Sequence, residues 1–332
     1  MKQKLLMASA IVFLLSCSKN ETAKPEANAK AYTISLGLKG ELNVTDESPL
    51  SSLANKTLPR SVSSTDLLGV QVYSRVKGSQ SGDLPYAYGL FDNNDNTTIN
   101  LVSGNVYRFE AMVIKEGKTK IHSTSGGYWA PFNNSGPGAY STAITPNFIV
   151  SSITSLNNMS NGYTWLANYG PTYTFGNPSV DRYYGIAADY EPSQNGALNI
   201  AMKRVVFGAK FVAPGLTSGR LKITMGGAPD QFIETTTPNK TIQDIYSFSC
   251  ASCASLNDVY TSLNDVYTEV LPVAVKLIRA DGVEVPVASG NVTFKRKTIT
   301  TVNINITDAS SSNKMSVSFE QGDLSSGSTI DL

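Results

Sequence analysis

Short runs in which apolar and polar residues alternate recur along this sequence, and they constrain its fold more than any other feature. The clearest run is 32–38, in which one face carries Tyr32, Ile34, Leu36 and Leu38. A period of two places successive side chains on opposite faces of a β-strand. No long segment has apolar residues at the 3.6-residue period of a helix. The sequence therefore predicts an all-β protein.

Similar runs, separated by turns rich in Gly, Asn and Asp, continue through the chain. They predict strands at residues 67–73, 86–91, 98–101, 106–114, 198–202, 205–212, 221–225, 273–278, 283–285, 292–294 and 298–306. The chain after residue 16 is about twice as long as a usual domain, which favours two domains. We expect one β-sandwich domain over residues 31–195 and a second over residues 196–332, because a new alternating pattern begins near Gly196.

The first residues have the order of a secretory signal. Two lysines precede an apolar run at residues 5–15. That run is shorter than the ~18 residues of a membrane-spanning helix, so it predicts a cleaved signal peptide over residues 1–16. Its ending, Leu14-Leu15-Ser16-Cys17, resembles the bacterial lipobox. The resemblance implies cleavage between Ser16 and Cys17 and acylation of Cys17.

Residues 17–30 are polar, with Lys, Glu, Asn and one Pro. A segment of this composition buries little apolar area, so we expect a flexible tether that holds the folded part away from the lipid surface. A membrane, reached through the lipid anchor, is therefore an expected partner. The alternative is an ordinary signal peptide followed by a cysteine that carries no lipid.

The charge and the histidine content exclude several classes of protein. The net charge is +1 and no basic stripe is present, so we expect no nucleic-acid partner. His122 is the only histidine, which excludes metal sites built on several histidines and leaves one residue for any histidine-dependent catalysis. No nucleophile motif accompanies it. We therefore expect that the protein is not an enzyme and that it has no catalytic residue, no metal site and no cofactor.

Cys250 and Cys253 are the cysteines that remain once Cys17 is acylated. Two nearby thiols in an oxidising compartment can form a disulfide, so this pair is a candidate disulfide. A pair of free thiols is the alternative. The Cys-x-x-Cys spacing also occurs in redox motifs, but those stand in a βαβ context that is absent here.

Residues 123–192 are polar and rich in aromatic side chains, including Trp129 and Trp165. Exposed aromatic rings can stack on flat apolar faces such as those of sugars. This makes an outer-membrane glycan-binding lipoprotein the alternative function. The other interpretation, which we favour, is that the rings cover the core beneath long loops, because aromatic side chains bury large areas.

A set of segments shares its content and order with a known family. The segments are the lipobox and residues 85–92, 202–211, 216–219 and 292–296. They resemble the fimbrillin-type subunits and anchors of Bacteroidota. The resemblance implies two tandem transthyretin-like Greek-key β-sandwich domains in a surface-exposed lipoprotein of the outer membrane. Its implied partners are other fimbrial subunits and a ligand on a host or bacterial surface.

The same resemblance implies a mechanism of assembly. A protease that cuts after arginine removes the first strand of stalk subunits in that family, and a strand of the neighbouring subunit fills the groove. The displaced strand here would be residues 32–38, with cleavage between Arg60 and Ser61. The linker before Arg60 departs from the family pattern in length, and Arg75 is a poorer substrate because it lies in a predicted strand. The donor strand would carry Met315, Val317 and Phe319.

These expectations together describe a structural or accessory subunit of cell-surface fimbriae. It would assemble by protease-triggered donor-strand exchange and serve adhesion. The donor segment, with three apolar residues alternating with serines, lies outside the apparent second sandwich and has to pair with something.

Overall fold

The computed structural model describes residues 29–41, 62–93, 97–125, 127–135, 141–156, 159, 164–165, 167, 180–225, 230–244, 268–295, 298–306 and 315–323. Strands and the turns between them make up nearly all of these residues, which confirms the all-β fold. One four-residue helix, α1 (Gly117–Lys120), occurs within these ranges. No helix among them is long and apolar enough to cross a membrane. The predicted sites at Ser16, Cys17, Arg60, Ser61, Cys250 and Cys253 lie outside the described residues.

The first part of the described chain forms one eight-stranded sheet. Its strands are β1 (Ala31–Gly40), β2 (Leu67–Val76), β3 (Leu84–Phe91), β4 (Thr98–Val102), β5 (Asn105–Ile114), β9 (Ile149–Val150), β10 (Arg182–Tyr190) and β11 (Gly196–Arg204). The order in the sheet is β4-β1-β11-β10-β5-β2-β3-β9. β1 and β11 run parallel, and all other neighbours in this sheet run antiparallel.

This sheet curves until strands from its two ends meet. Tyr86 on β3 donates a hydrogen bond from its hydroxyl to the carbonyl of Asn100 on β4, over 3.0 Å. The backbone N–H of Val102 on β4 donates to the hydroxyl of Tyr107 on β5, over 2.9 Å. The concave face encloses a core built from β1, β4 and β11 on one side and from β2, β3 and β5 on the other. The curved sheet therefore buries its apolar face as two packed layers would.

The central strands of this sheet are buried on both faces. Val70 and Phe109 belong to the enclosed core, whereas Leu67 and Met112 belong to a second cluster on the convex face. That face is covered by the segment that contains β6 (Ser123–Thr124), β7 (Gly127–Tyr128) and β8 (Thr142–Ala143). Phe132 lies so close to Gly69 that a Cβ there would come within 2.6 Å of its ring.

The second part of the chain is a sandwich of two four-stranded sheets, as the sequence predicts. One sheet has the order β15 (Asn239–Asp244), β12 (Phe207–Val212), β18 (Thr298–Ile306) and β19 (Met315–Asp323). The other has the order β14 (Gln231–Glu234), β13 (Arg220–Met225), β16 (Thr268–Ile278) and β17 (Glu284–Lys295). Phe207 and Phe294 stack between the sheets with their ring centroids 4.8 Å apart.

The expected domain boundary at Gly196 is wrong. Strand β11 begins there, but it pairs with β1 and β10 and so belongs to the first sheet. The chain passes to the second sandwich at Val205-Val206, between β11 and β12. Alternation in residues 198–202 identified a half-buried strand correctly. It carried no information on the sheet that the strand joins, because that depends on partners distant in the sequence.

The expectation that the donor segment lies outside the second sandwich is also wrong. β19 pairs antiparallel with β18, from Thr298 opposite Asp323 to Ile306 opposite Met315. It forms the edge of its sheet. The backbone N–H and C=O groups on one side of β19 are thus hydrogen-bonded to β18, the preceding described strand of the same chain.

Candidate assembly site

Strand β1 is the first strand of the described chain, yet it lies in the interior of the curved sheet. It pairs antiparallel with β4 and parallel with β11, with Ile34 opposite Ile99 on one side and Gly196 on the other. Ile34, Leu36 and Leu38 are 0%, 7% and 6% exposed, which confirms the alternation predicted for this strand. Removal of β1 would open an apolar groove between β4 and β11.

Polar residues outside β1 fix its backbone. The N–H of Leu36 donates to the carbonyl of Thr97 over 2.9 Å, and the Thr97 hydroxyl donates to the Leu36 carbonyl over 3.1 Å. The N–H of Thr33 donates to Oδ1 of Asn195 over 2.9 Å. Just beyond the end of β1, Oε2 of Glu41 accepts a hydrogen bond from the N–H of Arg204 over 2.7 Å, which ties the residue after β1 to β11. Sequence reasoning missed these residues because single loop polar groups form no motif.

Two glycines mark where β1 approaches β11 most closely. A Cβ at Gly37 would lie 2.6 Å from Oδ1 of Asn199. Gly40 has a φ of +87°, and a Cβ there would lie 2.7 Å from the carbonyl oxygen of Met202. Glycine inside a strand pattern is the signal that could have identified this close approach from the sequence.

Arg75, the second arginine considered as a cleavage site, is held inside the fold. It lies in β2 opposite Val106, because this strand continues to Val76, beyond the predicted end at residue 73. Its guanidinium forms ion pairs with Asp83, over 2.8 Å, and with Asp189. A protease needs an extended and accessible chain. The backbone of β2 is paired with β3 and β5 instead.

Asp83 joins Arg75 to Arg108 at this end of the first sheet. Its second carboxylate oxygen accepts a hydrogen bond from Nε of Arg108 over 2.8 Å. Burial alone would raise the pKa of Asp83, but the hydrogen bonds and charges of both guanidiniums outweigh burial, so that its pKa is lowered. Arg108 also pairs with Glu110 and lies 4.0 Å from the ring centroid of Tyr73. The pKa of Tyr73 is raised to about 12 by burial and by the charge of Glu110, partly offset by Arg108.

Replacing Asp83 with asparagine is expected to lower the free energy of unfolding by about 1–3 kcal/mol at pH 7, because one amide oxygen cannot serve both guanidiniums. The folded pKa of Asp83 lies below its ordinary value of 3.8. Its contribution is therefore complete above that value and is lost as the pH falls through the folded pKa. Urea unfolding at several pH values should show the gap between the variant and the wild type shrinking as the pH falls below 3.8.

Asp189→Asn is the matched control, since this residue also pairs with Arg75 but its side chain is 73% exposed. Exposed ion pairs contribute little, so we expect a change within about 0.5 kcal/mol. Equal effects of the two substitutions would contradict the role assigned to Asp83.

The aromatic residues of the convex face pack against one another. The His122 ring stacks on Trp165 with centroids 4.4 Å apart at an interplanar angle of 11°, and Trp129 lies 4.7 Å from Trp165. Backbone hydrogen bonds join the same residues, from the His122 N–H to the Trp165 carbonyl over 2.8 Å and from the Trp129 N–H to the His122 carbonyl over 2.9 Å. Glycan binding by these rings stays a prediction. Across the described ranges, no group of three His, Cys, Asp or Glu residues could hold a metal ion.

Comparison by sequence finds that no protein-family model and no curated protein sequence matches this chain. Comparison by structure finds fimbrial proteins of Bacteroidota. The fimbrial anchor protein Mfa2 of Porphyromonas gingivalis is 6% identical with a TM-score of 0.39, over 89% of this chain and 98% of that chain. The C-terminally truncated tip fimbrial protein Mfa3 of the same organism is 8% identical with a TM-score of 0.33, over 89% and 100%. A fimbrial assembly protein of Parabacteroides distasonis is 11% identical with a TM-score of 0.34, over 88% and 96%.

Fimbrial proteins of Bacteroidota, which the sequence resembles, are thus among the structural neighbours of this chain. The three TM-scores are below 0.5 and the identities do not exceed 11%. Likeness at this level assigns no role to any residue of this chain.

Proposed function

We propose that this protein is a structural or accessory subunit of cell-surface fimbriae that serves adhesion. Before cleavage it is held at the outer membrane by a lipid on Cys17, and after cleavage at Arg60, which removes the lipid together with β1, it assembles with other subunits by exchange of β-strands. The observation that carries the proposal is the position of β1: this strand lies between β4 and β11, and the segment that joins it to β2 contains Arg60.

Cleavage after Arg60 would take β1 away and leave the other described strands in the chain. The lost strand buries three large apolar side chains, each worth about 1.5–3 kcal/mol, or about 5–9 kcal/mol together. It also satisfies backbone groups of both β4 and β11. A domain in this state lowers its free energy by binding a strand from another chain.

The C-terminal segment has the composition that such a groove accepts. Met315, Val317 and Phe319 repeat the spacing of Ile34, Leu36 and Leu38. In this alignment Ser318 takes the place of Gly37 and Gln321 takes the place of Gly40, so the Asn199 side chain and the Met202 backbone must move to admit the donor strand. Among the described strands, β19 pairs with β18 alone, at the edge of its sheet. A strand held on one side loses fewer hydrogen bonds on release than an interior strand does.

An arginine-specific protease tests the proposal on the purified mature protein. We expect cleavage between Arg60 and Ser61, release of the segment that contains β1, and formation of oligomers, measured by intact mass and size-exclusion chromatography. Arg60→Ala should abolish both the cleavage and the oligomers. A protein that stays monomeric and loses no N-terminal segment would contradict strand exchange.

Arg279→Ala is the matched control for this experiment. Arg279 is exposed and lies in the connection between β16 and β17. The protease can therefore also reach this arginine, which is not linked to β1. This variant should still be cut after Arg60 and should still form oligomers. Mass spectrometry of the native protein from cell envelopes adds a second readout, since an N-terminus at acylated Cys17 or at Ser61 is distinguished directly.

A further inference from the structure

Large apolar side chains surround a groove at one end of the first sheet. The groove has a volume of about 630 Å³ and lies between the end of β2, the start of β3 and the segment after β9. Val76, Leu84, Val150 and Ile153 line it and are 46%, 66%, 67% and 75% exposed. We call these four residues the apolar rim. Clustered exposure of this kind marks a surface that binds something.

The apolar rim lies at the end of the sheet where the chain enters β1. The carbonyl of Lys30 accepts a hydrogen bond from the N–H of Ser103 over 2.8 Å, and the Ser103 hydroxyl accepts one from the N–H of Lys30 over 2.9 Å. The carbonyl of Gly104 accepts from the N–H of Lys77, which follows Val76, over 2.9 Å. Only the Ser103-Gly104 turn therefore separates the start of β1 from the apolar rim.

The distance from this end to the candidate lipid is limited by the length of the chain. Ser18–Ala29, a stretch of 12 residues, joins Cys17 to Lys30. Fully extended, this stretch spans at most about 40 Å, and as a coil it spans about 20 Å. A lipid on Cys17 would hold the apolar rim at high local concentration beside the bilayer, with little freedom to move away.

We propose that the apolar rim docks on the lipid surface that carries the acylated Cys17. The proposal rests on the lipid anchor proposed above. β11 starts at this end, runs parallel to β1 and leads from Arg204 into the second sandwich. Docking would therefore place the first domain against the membrane by its tethered end, with the chain leaving for the second sandwich at the opposite end.

Charges around the apolar rim indicate which lipids it contacts. The cations at this end are Lys30, Arg75, Lys77 and Arg108, and the acids are Asp83, Glu110, Asp189 and Glu191. The two signs balance, and most of these groups are paired with each other. Burial of apolar side chains, rather than attraction to anionic headgroups, therefore drives docking, and a zwitterionic surface is sufficient.

Vesicles of phosphatidylcholine test the surface without the lipid anchor. The chain starting at residue 17 and carrying Cys17→Ser should partition onto them, and adding Leu84→Ser and Ile153→Ser should lower the partition coefficient about tenfold. Higher salt should change the coefficient less than about twofold, since no net charge is involved. Val270→Ser with Val283→Ser is the matched control, because these valines of the second sandwich are 56% and 50% exposed. This control should partition like the parent chain.

Hydrogen exchange on the native acylated protein gives a second readout. In the same vesicles, amides of residues 84–86 and 150–153 should exchange more slowly than in the Cys17→Ser chain in solution. Equal partition of rim variant and parent, or protection confined to other strands, would overturn docking. If the rim variant lost self-association while its partition coefficient stayed that of the parent chain, docking on lipid would also be overturned. The apolar rim would then be assigned to contacts between subunits.

The lipid anchor is tested separately by the mass of the N-terminal peptide. A peptide without acyl chains would contradict the anchor, and rim-dependent partition of the Cys17→Ser chain would still support docking on lipid. An acylated peptide together with rim-independent partition would overturn docking and leave the anchor intact.

Discussion

Replacing Ile34 with alanine is expected to lower the free energy of unfolding of the first domain by about 2–5 kcal/mol. Ile34 is 0% exposed in the centre of β1, between strands β4 and β11. Alanine would leave a cavity in the enclosed core that the neighbouring strands, each fixed by its own pairing, can fill only in part. Urea unfolding followed by circular dichroism gives the difference, and the cleaved protein should also release its N-terminal segment sooner.

Ser35→Ala is the control, because Ser35 is exposed on the same strand. A surface substitution of this kind changes stability by about 0.5 kcal/mol or less. If the two variants were equally stable, β1 would not be an integral part of the domain. The groove on which strand exchange depends would then not form when β1 leaves.

Phe207→Ala is expected to destabilise the second sandwich by about 3–5 kcal/mol. Phe207 is 0% exposed and its ring stacks on that of Phe294 from the opposite sheet. The substitution removes both the buried area and the pairing of rings, which itself contributes about 0.5–1.5 kcal/mol. Because Phe207 begins β12, the next strand in its sheet, β18, would lose support, and β19 with it. Thermal and urea unfolding would both report this loss.

Phe232→Ala tests whether the loss of stability depends on the burial of the phenylalanine ring rather than on its size. Phe232 is 37% exposed on β14, with the guanidinium of Arg220 4.7 Å from its ring centroid. We expect a loss of at most about 1 kcal/mol, the usual strength of an exposed cation–π contact. Similar losses for the two phenylalanines would contradict the assignment of Phe207 to the core.

Alternation of side chains was sufficient to predict strands that have one exposed face. β1 and β13 are of this kind, and their buried residues match the predicted apolar positions. β2 is buried on both faces over its first six residues. Its burial depends on Phe132 and other residues of a later segment, which only the folded chain brings onto it.

Strand partners were harder to predict than strands. β11 joins the first sheet and β19 joins the second sandwich, and neither choice is encoded in local periodicity. The apolar rim was missed for a related reason. Val76 and Leu84 lie at strand ends, where an apolar residue in a sequence is expected to be covered, and only the folded chain shows that they are not.

The glycines of β1 have a consequence for how subunits of different kinds would mix. The groove that β1 occupies has no room for a Cβ at Gly37, which faces Asn199, or at Gly40, which faces Met202. We call this groove the slot. Any replacement strand must bring glycine to these steps or displace the Asn199 side-chain amide and the Met202 carbonyl, and the candidate donor segment, with Ser318 and Gln321 there, would have to displace them. The larger the side chains at the two steps, the further these groups must move, so strands that carry different residues there would bind with different free energies, which is a source of specificity. The width of the slot would thus limit which subunits can donate a strand to this one and so join the same filament.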